Sequence, residues 1–220
     1  MSYTTEQLKN FTKVGKKIIG AGLNYKELVK LSKQPAPKTP IIFLKPTSAY
    51  ITEGSSIEIY PDSHVNEEVE LGVIIGRKGR NISVADAMTH VGGYCLGLDM
   101  TDISIINECQ AKGLPWALGK GFDTACPVSR FISCDEIQDP GNLQLWLKVN
   151  GKTFQDSNTS DMLFSVPELI SYVSKFITLE EGDMILTGSP PGFDRVQPGD
   201  IIEAGIGNIL AMKFPVKART

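Results

Sequence analysis

Carboxylates gather at the mouth of the most apolar stretch in this 220-residue chain, Glu67-Glu68-Val69-Glu70-Leu71-Gly72-Val73-Ile74-Ile75. Side chains on a strand alternate faces, so Glu68 and Glu70 point the same way. Two carboxylates on one face at the edge of a core repel each other and resist burial unless a cation sits between them. A divalent metal meets that need; the alternative is a solvated strand face that happens to carry Glu67, Glu68 and Glu70. Asp99, near the end of Tyr94-Cys95-Leu96-Gly97-Leu98-Asp99-Met100, is the natural third carboxylate, its alternative being a turn or helix-capping aspartate. Lys120 stands between Gly119 and Gly121, where a lysine approaches a ligand closely and steadies an anionic intermediate.

Other chemistries are excluded. Only His64 and His90 exist, too few for a three-histidine zinc site, and no HExxH helix or GxSxG elbow occurs. The run from Gly113 to Lys120 is no P-loop: five residues separate Gly113 from Gly119, and Gly121 stands where magnesium needs Ser or Thr. Cys95, Cys109, Cys126 and Cys134 lack CxxC spacing and read as reduced thiols. A net charge of −3 without a basic stripe argues against nucleic acid, and no apolar run reaches the ~20 residues of a membrane span. The start of the chain carries no signal-peptide apolar core, so a cytoplasmic location is expected, with mitochondria left open by Lys13, Lys16 and Lys17.

Residues 1–15 read as a polar N-terminal arm or a short helix, and 16–220 as one domain. Strands are expected at 17–20, 41–44, 57–60, 69–75, 94–100, 143–149, 183–187, 201–204 and 210–216, with a short helix over 25–31. The proline-rich 34–40 stretch suits a flexible lid. Ser83-Val84-Ala85-Asp86 predicts a helix that ends at Gly92-Gly93 and carries His90 as a structural residue. Asn150-Gly151 predicts a type I′ hairpin, and Ser165 caps a helix running to about 176. Strands outnumber helices and join through short turns, so the fold class is a β-rich α/β fold with mixed sheets rolled around a core.

At Glu68-Val69-Glu70-Leu71-Gly72-Val73, Leu98-Asp99-Met100-Thr101, Lys112-Gly113-Leu114-Pro115-Trp116, Lys120-Gly121-Phe122-Asp123 and the run 179–188, the chain resembles the fumarylacetoacetate hydrolase family, in particular its acylpyruvase and oxaloacetate decarboxylase branch. The resemblance implies a mixed β-sandwich roll and a homodimer. It implies Mg²⁺ or Mn²⁺ held by Glu68, Glu70 and Asp99, and a substrate role for Lys120 and for the Thr187-Gly188 loop. Hard oxygen ligands suit those ions, and such an ion polarises a keto group and stabilises an enolate.

The departures from that pattern point one way. The branch carries Asn-Tyr-x-x-His-x-x-Glu on its short N-terminal helix, where this chain has Leu28 and Leu31 after Asn24-Tyr25. Leu23 and Ile103 replace arginines, Ile106 replaces a glutamine, and the Thr-Gly-Thr-Pro-x-Gly loop becomes Thr187-Gly188-Ser189-Pro190-Pro191-Gly192. The expected pocket keeps its ion, loses its hydrolytic base, and presents Leu28, Leu31 and Ile103 to a small-molecule substrate or ligand. Decarboxylation or tautomerisation of a 2-oxo acid is then favoured over hydrolysis. The alternative is a non-hydrolytic descendant that binds an apolar ligand or serves a structural role.

Overall fold

A computed structural model describes residues 3–219. One five-stranded sheet contains β1 (Ile18–Gly22), β2 (Ile41–Lys45), β6 (Val69–Ile75), β7 (Val91–Leu98) and β12 (Met184–Leu186), in the order β2-β1-β12-β6-β7. The second contains β4 (Ile57–Ile59), β10 (Gln144–Val149), β11 (Lys152–Asn158), β13 (Ile201–Ile206) and β14 (Leu210–Ala218), in the order β11-β10-β13-β14-β4. Each sheet has one parallel pair, β1 with β12 and β14 with β4, among antiparallel neighbours. Two small ladders complete the strands: β3 (Tyr50–Ile51) beside β9 (Cys126–Pro127), and β5 (Val65–Asn66) beside β8 (Thr101–Asp102). This is the expected β-rich α/β fold with mixed sheets.

The sheets stack on one core, and burial follows from the side-chain pattern. All seven residues of β6 are buried, as an almost unbroken aliphatic strand covered on both faces requires. In β10 the alternation sends Leu145, Leu147 and Val149 inward. Asn150 (φ 51°) and Gly151 (φ 79°) both take the left-handed conformation of a type I′ turn and join β10 to β11.

Among the described residues the helices are α1 (Thr5–Leu8), α2 (Phe11–Val14), α3 (Lys26–Ser32), α4 (Ile103–Lys112), α5 (Ala117–Gly121) and α6 (Val166–Ser174). The stretch read as an arm folds into α1 and α2 and packs, because Leu8 and Phe11 are buried in the common core. The helix expected from Ser83 to Gly92-Gly93 is absent. Only a 3₁₀ turn forms over Ala87–His90, and both glycines lie in β7. Space explains this: a β-carbon on Gly92 would come within 2.7 Å of Gly76 Cα, and one on Gly93 within 2.2 Å of the Phe131 ring. His90 is satisfied by Arg77, its Nδ1 bonding the Arg77 carbonyl at 2.8 Å and its Nε2 the guanidinium at 2.9 Å.

Candidate metal centre

Strand register assembles the carboxylates. Glu70 pairs with Gly97 in the β6–β7 ladder, and two steps on the Asp99 N–H donates to the Glu68 carbonyl at 2.8 Å. Glu68, Glu70 and Asp99 each offer an oxygen within 4.8 Å of the others. Leu186 pairs with Gly72, so the chain leaves β12 beside Glu70, and the Gly188 N–H donates to Glu70 Oε2 at 2.6 Å. Gln155 of β11 holds this loop to the metal strand. Its Oε1 accepts from Val69 N–H at 2.9 Å, while its Nε2 donates to Ser189 Oγ at 2.8 Å and to the Pro190 carbonyl at 2.6 Å.

Two buried lysines face the acids. Lys120 Nζ bonds Asp99 Oδ2, lies 2.6 Å from Thr101 Oγ1 and 3.3 Å from Glu68 Oε2, and sits 4.4 Å over the Phe43 ring. Its glycine neighbours serve packing: a β-carbon on Gly119 would meet Ile106 at 2.9 Å, and one on Gly121 would meet Pro46 at 2.8 Å. Lys45 donates to the carbonyls of Met100 (3.0 Å), Ala125 (2.9 Å) and Lys120, and its Nζ is 2.6 Å from Asp99 Oδ1.

Burial, then the charges of Asp99 and Glu68, push the Glu70 carboxyl well above the ordinary range. Burial also raises Glu68, although Lys120 opposes it. Burial acts upward on Asp99 as well, but Lys120 and Lys45 outweigh it and hold Asp99 low and ionised. Burial works against the Lys120 ammonium, yet Asp99 and Glu68 more than compensate and raise it. A crowded acidic centre of this kind is relieved by a cation.

The donor set fits a hard divalent ion. The ligands are all carboxylate oxygens, the type that Mg²⁺ and Mn²⁺ take. Asp99 Oδ1 is fully buried, and its close partner is the Lys45 ammonium. Lys45 gives it charge at 2.6 Å while sharing its three N–H groups with the carbonyls of Met100, Lys120 and Ala125, and a carboxylate oxygen has more than one lone pair. A lone pair is thus left for a ligand.

These groups line a cavity of about 440 Å³. Its walls include Leu23, Leu28, Ile41, Ile103, Ile106 and Trp116, with Ser189 and Phe193 from the loop after β12. Leu23 is held at φ 53°, a conformation uncommon for a residue with a β-carbon. Leu31, expected in the wall, is 61% exposed and turned to solvent. The helix period brings Ser32, four residues after Leu28, to the cavity instead. Thr187 and Gly188 lie behind the acids, where Thr187 bonds the Leu71 carbonyl through both its N–H (3.1 Å) and its hydroxyl (3.0 Å).

Sequence reasoning missed Lys45, whose signal is a lysine closing the apolar run Ile41–Lys45 before Pro46. It also missed α4, which carries Ile103 and Ile106. There the signals were plain: Asp102 accepts from Ser104 and Ile105 N–H as the N-cap, and Gly113 at φ 65° ends the helix.

Comparison with known proteins agrees with this geometry. The model of the Fumarylacetoacetate (FAA) hydrolase C-terminal family matches residues 17–217. The chain is 48% identical over 216 residues to oxaloacetate tautomerase FAHD1, mitochondrial, of Rattus norvegicus, covering 97% of each. It is 46% identical over 215 residues to the oxaloacetate decarboxylase, mitochondrial, of Dictyostelium discoideum, covering 96% of this chain and 99% of that one. Its fold is similar to that of the fumarylpyruvate hydrolase from Pseudomonas aeruginosa crystallised with Mn²⁺ and pyruvate, with a TM-score of 0.87, 30% identity and coverage of 93% and 91%. Matched over nearly its whole length in sequence and in fold, the chain belongs to the fumarylacetoacetate hydrolase family.

Proposed function

We propose that this protein is a divalent-metal-dependent enzyme that interconverts the keto and enol forms of a 2-oxo acid, and that decarboxylates one whose C3 bears a carboxylate. The observation that carries this reading is the meeting of Glu68, Glu70 and Asp99 with Lys120 in one cavity, Asp99 Oδ1 keeping a free lone pair. Those three carboxylates would hold Mg²⁺ or Mn²⁺. When bound, the ion supplies Lewis-acid polarisation of a carbonyl oxygen.

The protein groups do the rest. Lys120 keeps a fixed ammonium against Asp99 and Thr101, where it stabilises negative charge developing on a substrate oxygen. The Gly188 N–H orients Glu70, and the Gln155 amide holds the loop that supplies Ser189. Neither His64 nor His90 lines the cavity, and Leu28 and Ile103 provide no base, so cleavage by activated water is disfavoured. The names of the rat and Dictyostelium relatives support oxaloacetate as one substrate, and the Pseudomonas complex supports a 2-oxo acid beside a metal.

The reading extends to a homodimer and to mitochondria. Leu44, Leu114 and Leu118 are exposed beside Ile41, Ile42 and Trp116, an apolar face suited to a second copy, which sedimentation velocity tests. Both relatives carry the mitochondrial location in their names, which fractionation of the source cells tests here.

The enzymatic test follows enol–keto conversion and decarboxylation of oxaloacetate with Mg²⁺, with Mn²⁺ and with chelator, in wild type and Lys120→Ala. Ion-dependent turnover that drops by about 10²-fold or more in the variant is expected. Turnover indifferent to the ion would overturn the reading. Ion binding without turnover would favour a descendant that only binds an apolar ligand.

A further inference from the structure

The charge balance of the buried site, set against the chemistry of its wall, names the class of acid it takes. The centre contains three carboxylates, Glu68, Glu70 and Asp99, and two buried ammonium groups, Lys45 and Lys120. A carboxylate must be ionised to ligate a metal. The protein groups together therefore carry one negative charge, and a divalent ion turns this to one positive charge. A single substrate carboxylate cancels it.

A second substrate carboxylate has no counterion. Among the described residues that line the cavity, Lys120 is the one cation, and it stands among the acids, bonded to Asp99, Glu68 and Thr101, where it serves the developing enolate oxygen. Lys45 is buried beneath the site with its donors on main-chain carbonyls. Away from the acids the wall is mostly Leu23, Leu28, Ile41, Ile103, Ile106 and Trp116, and its polar members there, Ser32, Gln34 and Gln110, are uncharged. A carboxylate placed there loses its hydration and meets at most neutral donors with no counterion, whereas an alkyl group sheds water favourably.

We infer that the substrates are 2-oxo monocarboxylic acids with an alkyl tail on C3, and that a dicarboxylate such as oxaloacetate is taken less well. This inference rests on the proposed enolate chemistry. In each turnover the C3–H bond breaks and its proton passes to a water molecule, its electron pair moves into the C2–C3 bond, and the C2=O pair moves onto oxygen. A solvent proton then returns to C3, so no redox partner is needed.

The test uses Mg²⁺-loaded protein with pyruvate, 2-oxobutanoate, 2-oxopentanoate, 2-oxohexanoate and oxaloacetate. Affinity is read by calorimetry, and exchange of C3 hydrogen in deuterated water by NMR. Affinity is expected to tighten about threefold per added methylene. Oxaloacetate should bind at least about tenfold more weakly than 2-oxohexanoate, and Ile103→Arg, at the half-exposed start of α4, should narrow or reverse that gap. If oxaloacetate binds as tightly as 2-oxohexanoate in wild type, the inference falls while the enolate reading stands. If the long acids bind in the expected order but none exchanges at C3, the enolate reading falls and the binding preference stands. If none of the acids binds, both fall.

Discussion

Lys45 Nζ lies 2.6 Å from Asp99 Oδ1 and also reaches the main-chain carbonyls of Met100, Lys120 and Ala125. The lysine holds Asp99 ionised, and a carboxylate, with several lone pairs, stays open to a ligand beside it. Removing Lys45 takes a cation from a buried acidic cluster and orphans three carbonyls. Lys45→Met is expected to lose about 3–5 kcal/mol of stability in urea unfolding, and Lys45→Arg should fail to restore it, since the larger guanidinium cannot fill the same site. An unchanged midpoint in Lys45→Met would remove this role.

Each of Glu68→Ala, Glu70→Ala and Asp99→Ala should weaken Mg²⁺ binding by at least about tenfold, because each takes a full charge from an oxygen-only site. Titration calorimetry on all three variants decides the matter. Unaltered binding in the set would show that the ion, if any, binds elsewhere.

Gly188 sits at φ 98°, and a β-carbon there would come within 2.6 Å of Asn24 Cβ. Gly188→Ala is therefore expected to cost about 1–3 kcal/mol and, by loosening the 2.6 Å hydrogen bond to Glu70, to lower Mg²⁺ affinity as well. Loss of stability with full metal affinity would separate the turn from the ligand it contacts.

Acylpyruvate hydrolysis should be very weak in the wild type, since the cavity lacks a base to deprotonate water, a contribution of about 10²–10⁴-fold where one is present. Leu28→His places an imidazole in the wall and should raise hydrolysis, followed as pyruvate release. Efficient hydrolysis by the wild type would refute the reading of the wall. Reverting Leu31 as well is expected to add little, because that side chain faces solvent.

Glu136 accepts from Arg130 and from the Ser133 N–H, and these bonds hold its carboxyl down at about 2. Between about 4.5 and 2 the unfolded chain binds this proton and the folded chain does not. The contribution is thus present above pH 4.5 and fades as pH falls through that window. The pair is well exposed, so screening limits it to under about 1 kcal/mol. Acid titration of unfolding in Glu136→Gln should show a shallower decline over that range than wild type.

What could be read from the sequence was local. Glu68 and Glu70 are set by strand period, Asp99 by its place at the end of an apolar run, and the hairpin by Asn150-Gly151; each shows in a few consecutive residues. Lys45 did not, because its partners at Met100, Lys120 and Ala125 lie 55, 75 and 80 residues away. Gly92-Gly93 looked like a helix stop because glycine serves both as a C-cap and where strands approach closely, and only the contact with Gly76 and Phe131 decides between them. Leu31 was assigned to the wall by matching a pattern, but the helix turns Ser32 there. The preference of α4 for helix was legible from Asp102 and Gly113, though its flanking role beside the acids was not.

The hydrogen bond from Gly188 to Glu70 spans 118 residues, and that from Val69 to Gln155 spans 86. A nascent chain that has released only β6 and β7 from the ribosome already owns Glu68, Glu70 and Asp99, but nothing yet fixes where Glu70 points. An ion held by these acids would therefore find its complete site only in a nearly completed chain, rather than templating the fold from early acids. Metal added during refolding should leave the early rate unchanged and act only on the stability of the product.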